Sequence, residues 1–352
     1  MRYGSESNPP NRFQPIRLEA DFDHLACDEE HPEAGGDRQI EYLADESRSI
    51  VSRNESPDIP FRYSLNPYRG CVHGCSYCYA RPTHEYLSFS AGRDFETKIV
   101  VKPDAARLFR DFLARPSWKP EPIMFSGVTD CYQPAERHFQ LTRACLATAL
   151  ECRQPVRIIT KNALIERDLD ILREMAARRL IHVFLSITSL DAELARQMEP
   201  RTSIPAARLR AVRTLRDAGV PVGVMVAPLI PGLNDETMPA VLEAAQRAGA
   251  LSATHTLVRL PLAVAPIFAE WLQRAVPERA ERVLGRIRQT HRGKLNANEW
   301  GARMTGSGPI AEQIGQLFQL LKRRYGLDQP LPPLTTEDFR PPSSATGQGW
   351  LF

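Results

Sequence analysis

From about residue 61 the chain alternates short apolar, β-branched runs with longer stretches in which apolar positions recur every three or four residues. RYSLN at 62–66 precedes helix-like DAARLFRDFLA, PIMFSG at 122–127 precedes LTRACLATALECR, and VRIITK at 156–161 precedes ERDLDILREMAARR. IHVFLSIT at 181–188 precedes IPAARLRAVRTLRDAG, PVGVMVAP at 221–228 precedes ETMPAVLEAAQRAG, and ATHTLVRL at 253–260 precedes a helical stretch through PERAERVLGRIRQ. Six strand–helix units in a row predict a parallel sheet with crossover helices, either an open sheet or a partly closed barrel. Gly219 and Gly249 fall where helix C-caps belong, and Asp235 where an N-cap belongs.

The flanks lack this rhythm. Residues 1–55 are rich in Pro, Gly, Asp and Glu without periodicity, which reads as a mostly flexible acidic leader, with twelve Asp/Glu against five Arg in residues 1–50. Residues 291–326 read as a Gly-rich loop and a helix, AEQIGQLFQLLKRRYG, and 327–352 as an extended Pro/Ser-rich tail. The net charge of +3 hides a basic segment at 271–324, with eleven Lys/Arg against four Glu; it points to an anionic partner or to solvated helix faces. The length of 352 residues and 43% hydrophobic content suit a large enzyme core. No apolar run is long enough to span a bilayer and no signal core opens the chain, so the expectation is a cytoplasmic protein with no membrane partner.

Candidate chemistry gathers at one edge of the expected sheet. Thr129 and Asp130, Lys161, Ser186 and Thr188, and Arg259 all lie at or just past strand C-termini, the edge where barrels and open α/β sheets place their active sites. The loop NPYRGCVHGCSYCYARP carries Cys71, Cys75 and Cys78 as C-x3-C-x2-C. Three thiolates in eight positions suit an iron–sulfur cluster with one iron left open; a structural zinc wants four ligands, which here would need His73 or His84 as the fourth. Cys145 and Cys152 lie in an amphipathic helix and read as small core residues.

With Tyr77 and Tyr79 flanking Cys78, this loop resembles the signature of the radical S-adenosylmethionine enzymes. In that family a [4Fe-4S] cluster binds S-adenosylmethionine through its open iron, and an external electron donor drives cleavage to a 5′-deoxyadenosyl radical. Four later segments, SGVTDCYQPAERHFQLT, VRIITKNALIERDLDIL, LSITSLDAELARQMEPRTS and VGVMVAPLIPGLND, are similar, in order, to the spore photoproduct lyase branch. The resemblance implies a partial (β/α)6 TIM-type barrel over residues 56–290 and a nucleic-acid substrate, DNA above all. It also implies cofactor contacts from Tyr77, Tyr79, Thr129, Lys161 and Ser186. RNA, a peptide or a small molecule are the other substrate classes, and a non-catalytic metal-binding protein is the other kind of function. Lyases of that branch carry a hydrogen-donating Cys where this chain has Gly127 and Val128. Cys131 lies a few residues on, as a displaced hydrogen donor or a packing residue. In MEPRTS, Glu199 and Arg201 read as an ion pair within the loop, with a ribose or substrate contact as the alternative. At 348–352, QGWLF is similar to peptides that dock on the bacterial sliding clamp, with Gln348 at the pocket mouth and Leu351 and Phe352 in the groove; folding back onto the core is the alternative.

Overall fold

The computed structural model describes residues 4–7, 9, 12, 40–297 and 299–342. The central sheet holds seven strands: β2 (Val51–Arg53), β3 (Tyr63–Leu65), β6 (Ile123–Phe125), β7 (Val156–Thr160), β8 (Ile181–Ser186), β9 (Val222–Leu229) and β10 (Ser252–Leu257). Their spatial order is β10-β9-β8-β7-β6-β3-β2. From β3 to β10 each strand pairs in parallel with the next one in sequence, and β2 adds an antiparallel edge. The order runs around in one direction and has no reversal point. A doubly wound sheet reverses and a (β/α) barrel does not, so the expected partial six-unit barrel is the observed architecture.

Local sequence explains the layers. The central strands β7, β8 and β9 are rich in Val and Ile and largely buried, and the helices bury one stripe each, as Ala105, Leu108, Phe109 and Leu113 show in the helix Ala105–Leu113. Gly219 takes φ +79° just past the helix Pro205–Asp217, where Val220 N–H donates to Leu215 O at 3.0 Å and closes the C-cap. Asp235 is not the N-cap expected of it. It opens a short 3-10 turn, Asp235–Thr237, and accepts from Gly232 N–H at 2.8 Å, while Thr237 precedes the helix Met238–Arg247.

A second sheet, in the order β1 (Glu41–Ala44), β5 (Lys98–Val101) and β4 (Tyr68–Arg69), takes β1 from ahead of the barrel strands and β4 and β5 from between β3 and β6, and feeds the cysteine loop from β4. With β1, β2, Gly4 and Ser5 placed, the described part of the acidic leader belongs to the fold. The described part of the tail does too. Leu327 O accepts from Ala253 N–H at 2.9 Å, Thr335 N–H donates to Arg179 O at 3.0 Å, and Arg340 N–H donates to Cys152 O at 2.9 Å. These partners lie beside strand N-termini, so the tail crosses the end of the barrel opposite the chemistry. No helix among the described residues is long and apolar enough to cross a membrane.

Candidate functional site

The loop from Gly70 to Ala80 opens on the C-terminal rim and is held from three sides. Gly70 at φ +76° and Gly74 at φ +65° allow the two reversals of the chain; a Cβ on Gly74 would strike the Glu96 carboxylate and the Arg201 guanidinium. Gln133 clamps the loop's start, accepting from Val72 N–H at 2.9 Å and donating to Gly70 O at 3.1 Å. Arg81 and Glu96 are wholly buried beneath it. The Arg81 guanidinium donates to Cys75 O at 2.9 Å, Gly92 O at 2.9 Å and the Glu96 carboxylate. Glu96 also accepts from Arg201 at 2.8 Å and from the backbone N–H of Gly4 and Ser5 at 3.2 and 2.9 Å. Arg201 in turn donates to Val72 O.

Cys71, Cys75 and Cys78 are free thiols gathered by this frame. Burial pushes Cys71 up to about 12, aided by Asp130 and Cys78; burial, with Glu199, raises Cys75, and burial raises Cys78. Such thiols give up their protons when a metal takes the sulfur. Among the described residues no three His, Cys, Asp or Glu side chains form a group that could hold a metal ion. The histidines proposed as a fourth zinc ligand are engaged elsewhere. His73 lies between Asp130 at 3.5 Å and Asn162 at 3.1 Å, with burial lowering its pKa to about 4, and His84 Nε2 donates to Lys98 O at 2.9 Å. Three thiols on one loop, with no fourth protein ligand among the described residues, fit a cluster in which each sulfur takes its own iron and one iron stays open.

Asp130 ties the strand ends together. Its carboxylate accepts from Thr160 Oγ1 at 2.7 Å, Lys161 N–H at 2.7 Å and Tyr132 N–H at 2.9 Å. Thr129, buried, donates its hydroxyl to Tyr68 O at 3.1 Å, and the Lys161 ammonium stands 5.8 Å from the Tyr77 ring centroid. Ser186 ends β8, buried, and its carbonyl accepts from Arg208 at 2.9 Å. Glu199 does not pair with Arg201 as expected from their nearness in sequence. It accepts from Arg208, the Tyr77 hydroxyl and, at 3.0 Å, Thr188 Oγ1, while Arg201 goes to Glu96. Burial works to raise the Glu199 pKa; Arg208 and Lys161 outweigh it and hold the carboxyl below its usual range. Thus Tyr77, Lys161, Glu199 and the three thiols converge, with Thr129 and Ser186 at the neighbouring strand ends.

Tyr79 is half exposed and donates to Gly127 O at 2.8 Å. A Cβ at Gly127 would lie 2.9 Å from Ser64 Cβ, so the backbone there has room for no side chain. Cys131 is fully buried in the main core, its N–H donating to Ser126 Oγ at 2.9 Å, a placement that favours the packing alternative. Cys145 and Cys152 are core residues too. Much of the basic segment has local partners: Arg282 pairs with Glu236 at 3.0 Å, Arg286 with Asp235 at 3.6 Å and Arg292 with Glu299 at 2.6 Å, while Arg279 bonds Gly232 O at 2.7 Å. Gln348, Leu351 and Phe352 lie outside the described residues.

The profile of the radical SAM superfamily matches residues 65–245. An uncharacterized protein of Mycobacterium tuberculosis is 40% identical over 236 residues, spanning 66% of this chain and 68% of its own. One from Methanocaldococcus jannaschii is 28% identical over 197 residues, spanning 56% and 71%. A structure of spore photoproduct lyase complexed with dinucleoside spore photoproduct superposes with a TM-score of 0.60 at 16% identity, over 81% of this chain and 79% of that one, a likeness of fold.

Proposed function

Because this chain belongs to the radical S-adenosylmethionine superfamily, whose enzymes work with a [4Fe-4S] cluster and S-adenosylmethionine, we propose that Cys71, Cys75 and Cys78 hold the cluster and that the substrate is nucleic acid. The observation that carries the ligand assignment is the frame of Arg81, Glu96, Arg201 and Gln133, which holds the loop bearing three free thiols at the rim, with no fourth protein ligand beside them among the described residues.

When bound, the cluster and cofactor supply one-electron cleavage and hydrogen abstraction. The protein's part is to bind and orient. Glu199, anchored by Arg208, fixes the Tyr77 hydroxyl and so the ring beside the thiols. Lys161, Thr129, Ser186 and Tyr79 are the proposed polar and aromatic contacts to the cofactor, each worth about 1 to 3 kcal/mol where desolvated.

Nucleic acid is supported by the four ordered segments similar to the lyase branch and by the fold shared with proteins that hold a dinucleoside. Gly127 sets a limit on that likeness: the position has no space for a hydrogen-donating side chain, and the described cysteines outside the loop are buried. The reading is therefore repair or modification of nucleic acid, with a product that need not match the lyase's. The segment Gln348–Phe352 is proposed to dock on a sliding clamp, on the strength of its Gln, Leu and Phe spacing.

The test is anaerobic reconstitution with iron and sulfide, then dithionite, S-adenosylmethionine and perdeuterated DNA or RNA oligonucleotides. The expected result is 5′-deoxyadenosine carrying deuterium from an oligonucleotide. Cofactor cleavage without transfer from either would sink the nucleic-acid reading while leaving the radical chemistry in place.

A further inference from the structure

Arg259 follows β10 on the rim, and its charge has no salt-bridge partner among the described residues. Its Nη1 lies 3.4 Å from Met304 Sδ, its guanidinium carbon 5.6 Å from the centroid of Tyr79, and its Nε is buried with no hydrogen-bond partner among the described residues. A second guanidinium stands nearby and repels it, that of Arg303. The carboxylate in reach, Asp58, is already taken: it accepts from Arg303 Nε at 2.6 Å and from Gly301 N–H at 2.6 Å. A partly buried, unsatisfied cation is costly, and a ligand oxygen anion is what relieves it.

The same loop presents an aromatic surface. Trp300 is 60% exposed, and the Arg303 guanidinium carbon sits 4.8 Å from its ring centroid, fixed there by Asp58 and Ser56. An exposed indole backed by an anchored cation is a stacking platform of the kind that takes nucleobases from single strands. Tyr79 links this surface to the chemistry, since it is the neighbour of Cys78 and its ring faces Arg259.

We propose that Arg259 and Trp300 form a substrate subsite, in which Arg259 binds a backbone phosphate and Trp300 stacks a base of the strand presented to the rim. This rests on the nucleic-acid reading and assigns it a place: the loop 299–306, in preference to the basic helix Pro277–Thr290, whose arginines are largely paired. DNA and RNA offer the same phosphate and π-face.

The experiment is fluorescence anisotropy on the anaerobically reconstituted enzyme with labelled single-stranded DNA and RNA 12-mers of one sequence, at several salt concentrations. Arg259→Met is expected to weaken binding about tenfold and to lower the salt slope by about one, the signature of one phosphate contact. Trp300→Ala is expected to weaken binding about fivefold or more and to abolish the quenching of intrinsic fluorescence on binding. Arg259→Met removes an unsatisfied charge, so it should melt no lower than the parent. The DNA and RNA arms identify which strand is preferred. Binding by the parent with an unchanged slope in Arg259→Met overturns the subsite and spares the nucleic-acid reading. An effect of Arg259→Met on S-adenosylmethionine affinity alone overturns it too, placing Arg259 with the cofactor. No binding of either oligonucleotide by the parent overturns both.

Discussion

Glu96 lies beneath the cysteine loop with both oxygens occupied, by Arg81 on one side and by Arg201 with Gly4 N–H on the other. A buried ion pair adds little over an apolar substitute, but removing one partner strands the other in low dielectric at a cost of about 3 to 5 kcal/mol. Glu96→Gln keeps the shape and deletes the charge, so it should lower the denaturant midpoint of the metal-free protein by that order and reduce iron bound per chain on reconstitution. An unchanged midpoint would mean that Arg81 and Arg201 are held by their carbonyl bonds alone. This network was not legible in the sequence. The cysteines announced themselves because three ligands of one kind sit within eight positions, whereas Glu96 meets Arg81 across 15 residues and Arg201 across 105. Each alone looks like an ordinary surface charge. The expected Glu199–Arg201 pair failed for the same reason: short sequence separation favours a guess, but the buried carboxylates compete for whichever guanidinium the fold delivers, and the fold delivers Arg208 to Glu199.

Hydrophobic period made the six barrel units readable as elements, because each short apolar strand is followed by a helix whose one apolar stripe is long enough to show its repeat. The small sheet escaped: β4 has only two residues, and although β1 and β5, at four each, are longer than the barrel strands β3 and β6, their pairing depends on partners more than twenty residues away. Backbone conformation at the element ends was legible through glycine, and it separates two substitutions that look alike. Gly219 sits at φ +79° and Gly285 lies within the helix Pro277–Thr290, and an added Cβ meets nothing within 4 Å at either. Space is therefore not the deciding term. Gly219→Ala forces an L-residue into the left-handed region and should destabilise by about 1 kcal/mol; Gly285→Ala relieves backbone entropy in a helix and should stabilise by about 0.5 to 1 kcal/mol. Opposite signs in denaturant midpoint check both; a loss at Gly285 would show that the helix carries strain there.

On the scale of the whole molecule the two ends of the barrel divide the labour. The rim gathers the thiols, the proposed cofactor contacts and Arg259, while the opposite end is covered by the described segment after residue 326. Leu327 is fully buried, Thr335 nearly so, and His182 Nε2 donates to Pro332 O at 2.7 Å, so this segment is anchored to the core at a few points. Its Pro and Ser content read as a tether in the sequence because proline-rich strands have no period, yet extended backbone with a few buried anchors is all that a strand-end cover needs. Two truncations follow. Ending the chain at residue 326 strips Leu327 and bonds to Ala253, Arg179 and Cys152, and should lower Tm by several degrees, since one buried leucine alone contributes about 1.5 to 3 kcal/mol. Ending it at residue 342 keeps every one of those contacts. That shorter cut should leave Tm and 5′-deoxyadenosine production unchanged and remove sliding-clamp binding, with a free Gln348–Phe352 peptide binding the clamp at about micromolar Kd. A Tm that falls with the shorter cut, without clamp binding by the peptide, assigns Leu351 and Phe352 to the core and withdraws the clamp as a partner.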